Sequence, residues 1–254
     1  MNTCALFSLI YPDRKEYLAN LQNTIWAICN EYSWAYYMKE SNGLRKRAKT
    51  IVLQQRAELM GSHIITMTWL FYFYHGGRQI LVDLGCGEYT RDYFGAKCYE
   101  ILCNRSAGHS VPFLDGQEQV DGLQYTSQMD YDGQVFSIDI TGAYAENCVT
   151  KVIRTFSFAE NCVVLKDCFM YEEYTDGCPV KERLVTLIYP EVDADCVKLE
   201  EVLIEYDSSV WSVHVSESIY QMHNGAGELV VYLIDFVCDK DVKEFCAEIK
   251  AEEA

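Results

Sequence analysis

Apolar and polar positions alternate along most of the chain, and the period of that alternation changes from one stretch to the next. Between residues 13 and 34 the apolar positions Tyr17, Leu18, Leu21, Ile25, Trp26, Ile28 and Tyr32 recur at helical spacing. Pro12 stands just ahead of them, where a helix tolerates it, so one amphipathic helix or two is predicted. Residues 36–73 read differently. Lys39, Arg45, Lys46, Arg47, Lys49 and Arg56, a large share of the chain's 21 basic residues, precede an apolar run from Ile64 to Phe73. A basic helix followed by an apolar strand is one description of that stretch. From residue 75 to about 239 the pattern is strand-like. Ile80-Leu81-Val82 is a short buried run, 135–140 alternates, and 149–158, 162–165 and 184–189 follow. Turns are marked at Asp115-Gly116, Asp121-Gly122, Asp132-Gly133, Asp176-Gly177 and Asn224-Gly225. Residues 210–216 alternate strictly, which puts Trp211, Val213 and Val215 on one face and Ser212, His214 and Ser216 on the other. The expected fold is mainly β: an antiparallel β-sandwich with a short N-terminal helical segment and a C-terminal helix over 241–253.

Composition sharpens this picture. Half of the 254 residues are apolar and 13% are aromatic, enough for a packed core and too many for a disordered chain. The formal charge of −17 argues against a nucleic-acid partner, whose phosphates are bound through Lys and Arg, and less strongly against polyanionic sugars. The 12 cysteines are scattered with no C-x-x-C pair, which predicts thiols in a reducing compartment. No window reaches the roughly 20 apolar residues of a membrane helix. The run over 4–11 has no basic residue ahead of it and stops at Pro12-Asp13-Arg14, so it lacks the parts of a secretory signal. A cytoplasmic location with no membrane partner is therefore expected.

The five histidines can be weighed singly. His214 lies on the polar face of a strand, His223 abuts a turn, and His75 begins one. His109 differs, because it sits in the polar, glycine-bearing passage Asn104-Arg105-Ser106-Ala107-Gly108-His109-Ser110-Val111-Pro112. Asp83 follows a buried run, where a carboxylate must be solvated, hydrogen-bonded or paired. An Asp–His pair of this kind is either two ligands of a zinc ion or a simple hydrogen bond, and spacing leaves both open.

Three passages carry a resemblance. They are Ile80-Leu81-Val82-Asp83-Leu84-Gly85-Cys86-Gly87-Glu88-Tyr89-Thr90-Arg91-Asp92-Tyr93-Phe94, the 104–112 passage, and Asp115-Gly116-Gln117-Glu118-Gln119. Together, from about His75 to near Phe236, they resemble the C-terminal domain of the heparinase II/III-like polysaccharide lyases. Residues 11–34 resemble an early helix of that family's α/α toroid. The resemblance implies β-elimination on uronic-acid glycans, with an acidic polysaccharide or oligosaccharide as partner. It also implies zinc, with Asp83 and His109 as ligands. The family's third ligand is the second His of an S-H-N-H-N-D motif whose first His serves the active site. At the corresponding place the chain reads Ser62-His63-Ile64-Ile65-Thr66-Met67, so His63 matches the active-site His and Ile65 replaces the ligand. Zinc binding is expected to be weak or absent, because its ligand set is incomplete. Tyr93, in the passage that the resemblance sets near the cleft, joins His63 as a catalytic candidate.

The mismatch at Ile65 has a genetic reading. Gln54 to Trp69, back-translated with permitted codons and read from the third base, gives A-K-G-G-A-Y-G-E-S-H-N-H-N-D-V, which contains the missing motif. Residues 36–73 are therefore expected to be translated out of frame, with the frame restored near Phe71 to Tyr74. Three units result: 1–35 as a helical remnant of the toroid, 36–73 as an irregular, frame-shifted segment, and 74–254 as the sandwich. Too few residues separate Trp34 from Ser62 to build the helices that supply the family's catalytic Tyr and His. The expectation is a truncated lyase with lost or much reduced activity, self-associating through a former domain interface. The alternatives are a carbohydrate- or partner-binding sandwich using Tyr125, Tyr131, Tyr144, Tyr171 or Tyr174, and a lyase whose cleft, with Tyr89, Tyr93 or His63, is rebuilt by another subunit.

Overall fold

The computed structural model describes residues 33–38, 49–60, 63–75, 78–84, 87–93, 95–120, 128–132, 135–144, 148–159, 162–171, 177–222 and 226–251. Side chains are described from residue 71 onward, apart from 128, 129 and 159. In chain order the strands are β1 (Ser33–Met38), β2 (Lys49–Met60), β3 (His63–His75), β4 (Arg78–Leu81), β5 (Pro112–Leu114), β6 (Gln128–Tyr131), β7 (Val135–Asp139) and β8 (Val149–Ala159). They continue with β9 (Cys162–Tyr171), β10 (Val180–Thr186), β11 (Glu191–Val192), β12 (Cys196–Leu199), β13 (Val202–Tyr206), β14 (Ser212–Gln221), β15 (Glu228–Cys238) and β16 (Glu244–Ala251). They form three sheets, in the orders β1-β2-β3-β4, β14-β15-β10-β5 and β11-β12-β13-β16-β9-β8-β7-β6, with antiparallel pairing throughout.

The main core lies between the eight-stranded sheet on one side and the β14-β15-β10-β5 sheet with β3 and β4 on the other. Period-two alternation builds it: Val152 and Phe156 of β8, Val163 and Leu165 of β9, and Leu184 of β10 all face inward. Phe71 and Phe73 of β3 reach the same core, and the Phe71 and Phe156 rings lie 5.2 Å apart. A second cluster, which includes Val82, Leu84, Tyr93 and Cys103, packs on the opposite face of β10 and β15 against Val185, Val231 and Leu233.

The antiparallel β architecture agrees with the sequence reading; its helices do not. Residues 1–32, and with them most of the expected N-terminal helix, lie outside the described residues, but Ser33 and Trp34 open β1. The basic stretch expected to be helical is in part β2, paired with β1 and β3. The expected C-terminal helix is β16, held between β13 and β9. Its charges sit at alternate positions, so Phe245, Ala247 and Ile249 turn into the core while Glu244 and Glu248 turn out to solvent. Cys148 and Cys178 are disulfide-bonded, joining the start of β8 to the chain entering β10, against the expectation of thiols throughout. No helix among the described residues is long and apolar enough to cross a membrane.

Candidate functional site

The site forms where the edge of β10 passes from one neighbour to the next. β5 pairs with Val180 to Glu182, and then Arg183 N donates to Val111 O and Val185 N to Ser110 Oγ. Beyond that, Val82 N, just past β4, donates to Val185 O, and Thr186 Oγ1 donates to Ile80 O. The buried run Ile80-Leu81-Val82 thus anchors Asp83 beside the passage that carries His109.

That passage is wound into three short 3-10 turns, Cys98–Glu100, Leu102–Asn104 and Ser106–Gly108. Gly108 is required by close approach: a Cβ there would lie 2.3 Å from the Leu102 carbonyl oxygen. The next residue, His109, places Nδ1 2.6 Å from Asp83 Oδ2 and Nε2 3.0 Å from the Cys103 carbonyl oxygen. The two side chains are 1% and 2% exposed. A carbonyl only accepts, so Nε2 carries hydrogen and donates to Cys103, and Nδ1 is turned to the carboxyl group of Asp83. Exchanging Asp83 for Asn keeps the shape and removes the charge, and is expected to cost about 2 kcal/mol in a urea-unfolding experiment.

An imidazole backed by a carbonyl on one nitrogen is also how proteins orient a histidine toward a metal. Asp83 and His109 supply only two donors, however, where a structural zinc takes four. Among the described residues no group of three or more His, Cys, Asp or Glu side chains is arranged to hold a metal ion. Asp83 and His109 by themselves leave a zinc site incomplete.

The signature residues around His109 are knit together. Asn104 Nδ2 donates to Cys98 O, and the Gln119 backbone N to Ser106 Oγ. Arg105 grips Glu118, while Gln119 Nε2 donates to the Tyr144 hydroxyl, which donates to Pro112 O at 2.6 Å. Burial pushes the Tyr144 phenol well above its ordinary pKa. Arg183 is held by Asp235 at 2.6 Å and donates to Ala107 O. Ser110 O accepts from Arg154 Nη1 at 2.6 Å, and Arg154 also engages Asp167 and Glu182. Burial opposes the Arg154 charge, but the two carboxyl groups outweigh it and hold its pKa above the usual value.

Tyr93 is 2% exposed and packs in the second cluster with Cys103, whose carbonyl holds His109. The structure therefore brings Tyr93, Asp83 and His109 into one neighbourhood, with the Tyr93 ring 5.0 Å from Tyr89 rather than on the surface. His63 opens β3 opposite Met60; its side chain lies outside the described residues. Of the tyrosines considered as sugar platforms, Tyr144 is fully buried, Tyr131 and Tyr171 are half-buried, and Tyr125 and Tyr174 fall outside the described residues. His75 is buried beside Glu201, His214 is exposed on β14, and His223 is outside the described residues. Sequence reasoning missed Arg154, Asp167 and Glu182. Each occupies an inward position of its strand, between Val152 and Phe156, Leu165 and Phe169, and Val180 and Leu184, and that in-phase charge was the available signal.

No protein-family model matches the chain, and no curated protein matches it. Among solved structures the chain is similar in fold to a heparinase-type lyase. The neighbour that carries this is a mutant of the heparan sulfate lyase HepC from Pedobacter heparinus, with a TM-score of 0.64 at 16% identity. The match covers 94% of this chain but only 41% of that one, so the chain spans less than half of the lyase's length. At such identity the likeness speaks for fold alone. A 4-alpha-glucanotransferase from Thermococcus litoralis aligns at a TM-score of 0.43 and 12% identity, over 90% of this chain and 41% of that one, too loosely to bear on the fold.

Proposed function

We propose that the chain is a decayed member of the heparinase II/III-like polysaccharide lyases. It keeps the sandwich and a residual affinity for acidic polysaccharide or oligosaccharide, and has lost all but a trace of β-elimination. One observation carries this reading: Asp83 and His109, from signatures 26 residues apart, meet at 2.6 Å inside a heparinase-like fold.

Elimination needs a base for the proton beside the uronate carboxylate, a partner for the developing charge, and an acid for the leaving oxygen. His63 and Tyr93 are the candidates the chain offers, and Tyr93 is packed away from solvent. The stretch between Trp34 and Ser62 is too short for the helices that bring the family's catalytic Tyr and His. Charge works in the same direction. The net charge is −17, and the cations bound to or within the His109 passage, Arg105, Arg154 and Arg183, are engaged by Glu118, by Asp167 and Glu182, and by Asp235. Glycan binding is therefore weak and is lost as salt is added.

On this reading residues 36–73 arose out of frame, zinc at Asp83 and His109 is weak or absent, the chain self-associates through the former toroid face, and its location is cytoplasmic. The gene's nucleotide sequence tests the frame directly: codons across 54–69 that cannot be read as the S-H-N-H-N-D motif end that part. A second reading, glycan binding without lyase ancestry in function, draws on Tyr189, 65% exposed with its ring 5.5 Å from Tyr232.

The purified chain is mixed with heparan-type and alginate-type uronides, and the ultraviolet absorbance of a new C=C bond is followed alongside calorimetric binding. The expected result is salt-sensitive binding with no absorbance rise. Turnover at an ordinary enzymatic pace overturns the decay, and the absence of both binding and turnover overturns the glycan partner. Weakened binding in Tyr189→Ala favours the second reading.

A further inference from the structure

A charged cluster within the main core joins the two faces of the sandwich. Arg154 on β8 faces its cross-strand partner Asp167 on β9, with Nε 2.9 Å from Asp167 Oδ1 and Nη2 2.6 Å from Oδ2. Nη2 also donates across the core to Glu182 Oε1 on β10, and Nη1 to Ser110 O, one residue past His109. All three side chains are at most 2% exposed. The charges do not balance. One guanidinium meets two carboxyl groups in a water-excluded interior, and Glu182 Oε2 is buried with no hydrogen-bond partner.

The other groups that face Glu182 do not supply the missing charge. Tyr144 comes from the turn Thr141–Tyr144 and gives its hydroxyl hydrogen to Pro112 O. On the paired strands Pro112 of β5 and Phe236 of β15 stand opposite. Lys181 and Arg183 alternate to the far face of β10, where Asp235 meets them. A proton on Glu182 Oε2 resolves the imbalance: it neutralises the excess charge and sets a donor beside Asp167, whose carboxylate shares Arg154 Nη2 with Glu182.

We propose that Arg154, Asp167 and Glu182 form a one-proton latch across the sandwich: Glu182 stays protonated in the folded chain at neutral pH, and surrendering that proton to hydroxide parts β10 from β8 and β9 and frees the passage carrying His109. In support, burial first, and then the neighbouring Asp167 charge, raises the Glu182 pKa well above the ordinary glutamate range. A folded pKa above the unfolded one means that the native state binds the extra proton. The stabilisation is therefore complete below the ordinary glutamate range and is lost as pH rises through the folded value.

The test compares thermal midpoints of the wild type and Glu182→Gln from mildly acidic to alkaline pH. Glutamine keeps an acceptor for Arg154 and a donor for Asp167 but cannot release a proton. The wild-type midpoint is expected to fall relative to the variant by about 3–5 °C per pH unit. Parallel profiles overturn the latch. Should the variant not fold, the infrared C=O stretch of a protonated carboxylic acid decides the matter in the wild type. The latch requires that band at neutral pH and its disappearance, together with broadening of the His109 ring resonances, as the pH is raised; no band at neutral pH overturns it.

Discussion

Arg154→Ala is expected to leave the protein without a cooperative unfolding transition, or with one at far lower urea. Removing the guanidinium strips Asp167 and Glu182 of their cation inside a core that excludes water. Breaking a buried ion pair from one side costs about 3–5 kcal/mol. The Ser110 carbonyl loses a donor as well, for about 1–3 kcal/mol more. Set against a typical total stability of about 5–15 kcal/mol, this is most of what a domain has. Circular dichroism through a urea titration measures it. Replacing the whole cluster, as Arg154→Met, Asp167→Leu and Glu182→Met together, is expected to recover much of the loss, because no uncompensated charge remains. A single alanine that unfolds the chain beside a triple apolar variant that does not would locate the damage in stranded charge rather than in lost volume.

The same cluster marks the limit of what the sequence could tell. Alternation made β7, β8 and the start of β9 legible, and Asp132-Gly133 does lie between β6 and β7, with Asp132 Oδ1 accepting from Val135 N. The charged segment 241–253 reads as a C-terminal helix, yet its residues 244–251 are strand β16. The period there is two, and the strand is central, so only half its residues meet water. Asp83 and His109 could be paired from sequence because a carboxylate after a buried run and a histidine in a polar passage both call for partners. Arg154, Asp167 and Glu182 could not. A charge in a strand is ordinarily placed on the solvent face, and their meeting depends on which strands of two sheets stand opposite, information that no local pattern holds.

Gly108→Ala is expected to cost about 3 kcal/mol and to separate His109 from Asp83. The added Cβ would lie 2.3 Å from the Leu102 carbonyl oxygen and 2.9 Å from its carbonyl carbon. Both are backbone atoms, so no side-chain rotation relieves the clash, and either the Leu102–Asn104 turn or the Ser106–Gly108 turn must move. Whichever yields, the distance between His109 and Cys103 O changes, since the two belong to the opposing turns. Loss of that acceptor unfixes the hydrogen on Nε2 and lets the ring swing from Asp83, so the ring resonances of His109 report the event directly in nuclear magnetic resonance. The three signature positions then separate by physical role. Gly108 permits the approach, His109 bridges Asp83 and Cys103, and Ser110 ties the passage to β10 through its hydroxyl and to Arg154 through its carbonyl. An alanine variant of native stability with unshifted His109 resonances would mean that the Gly-His-Ser run is kept together by something other than this close contact.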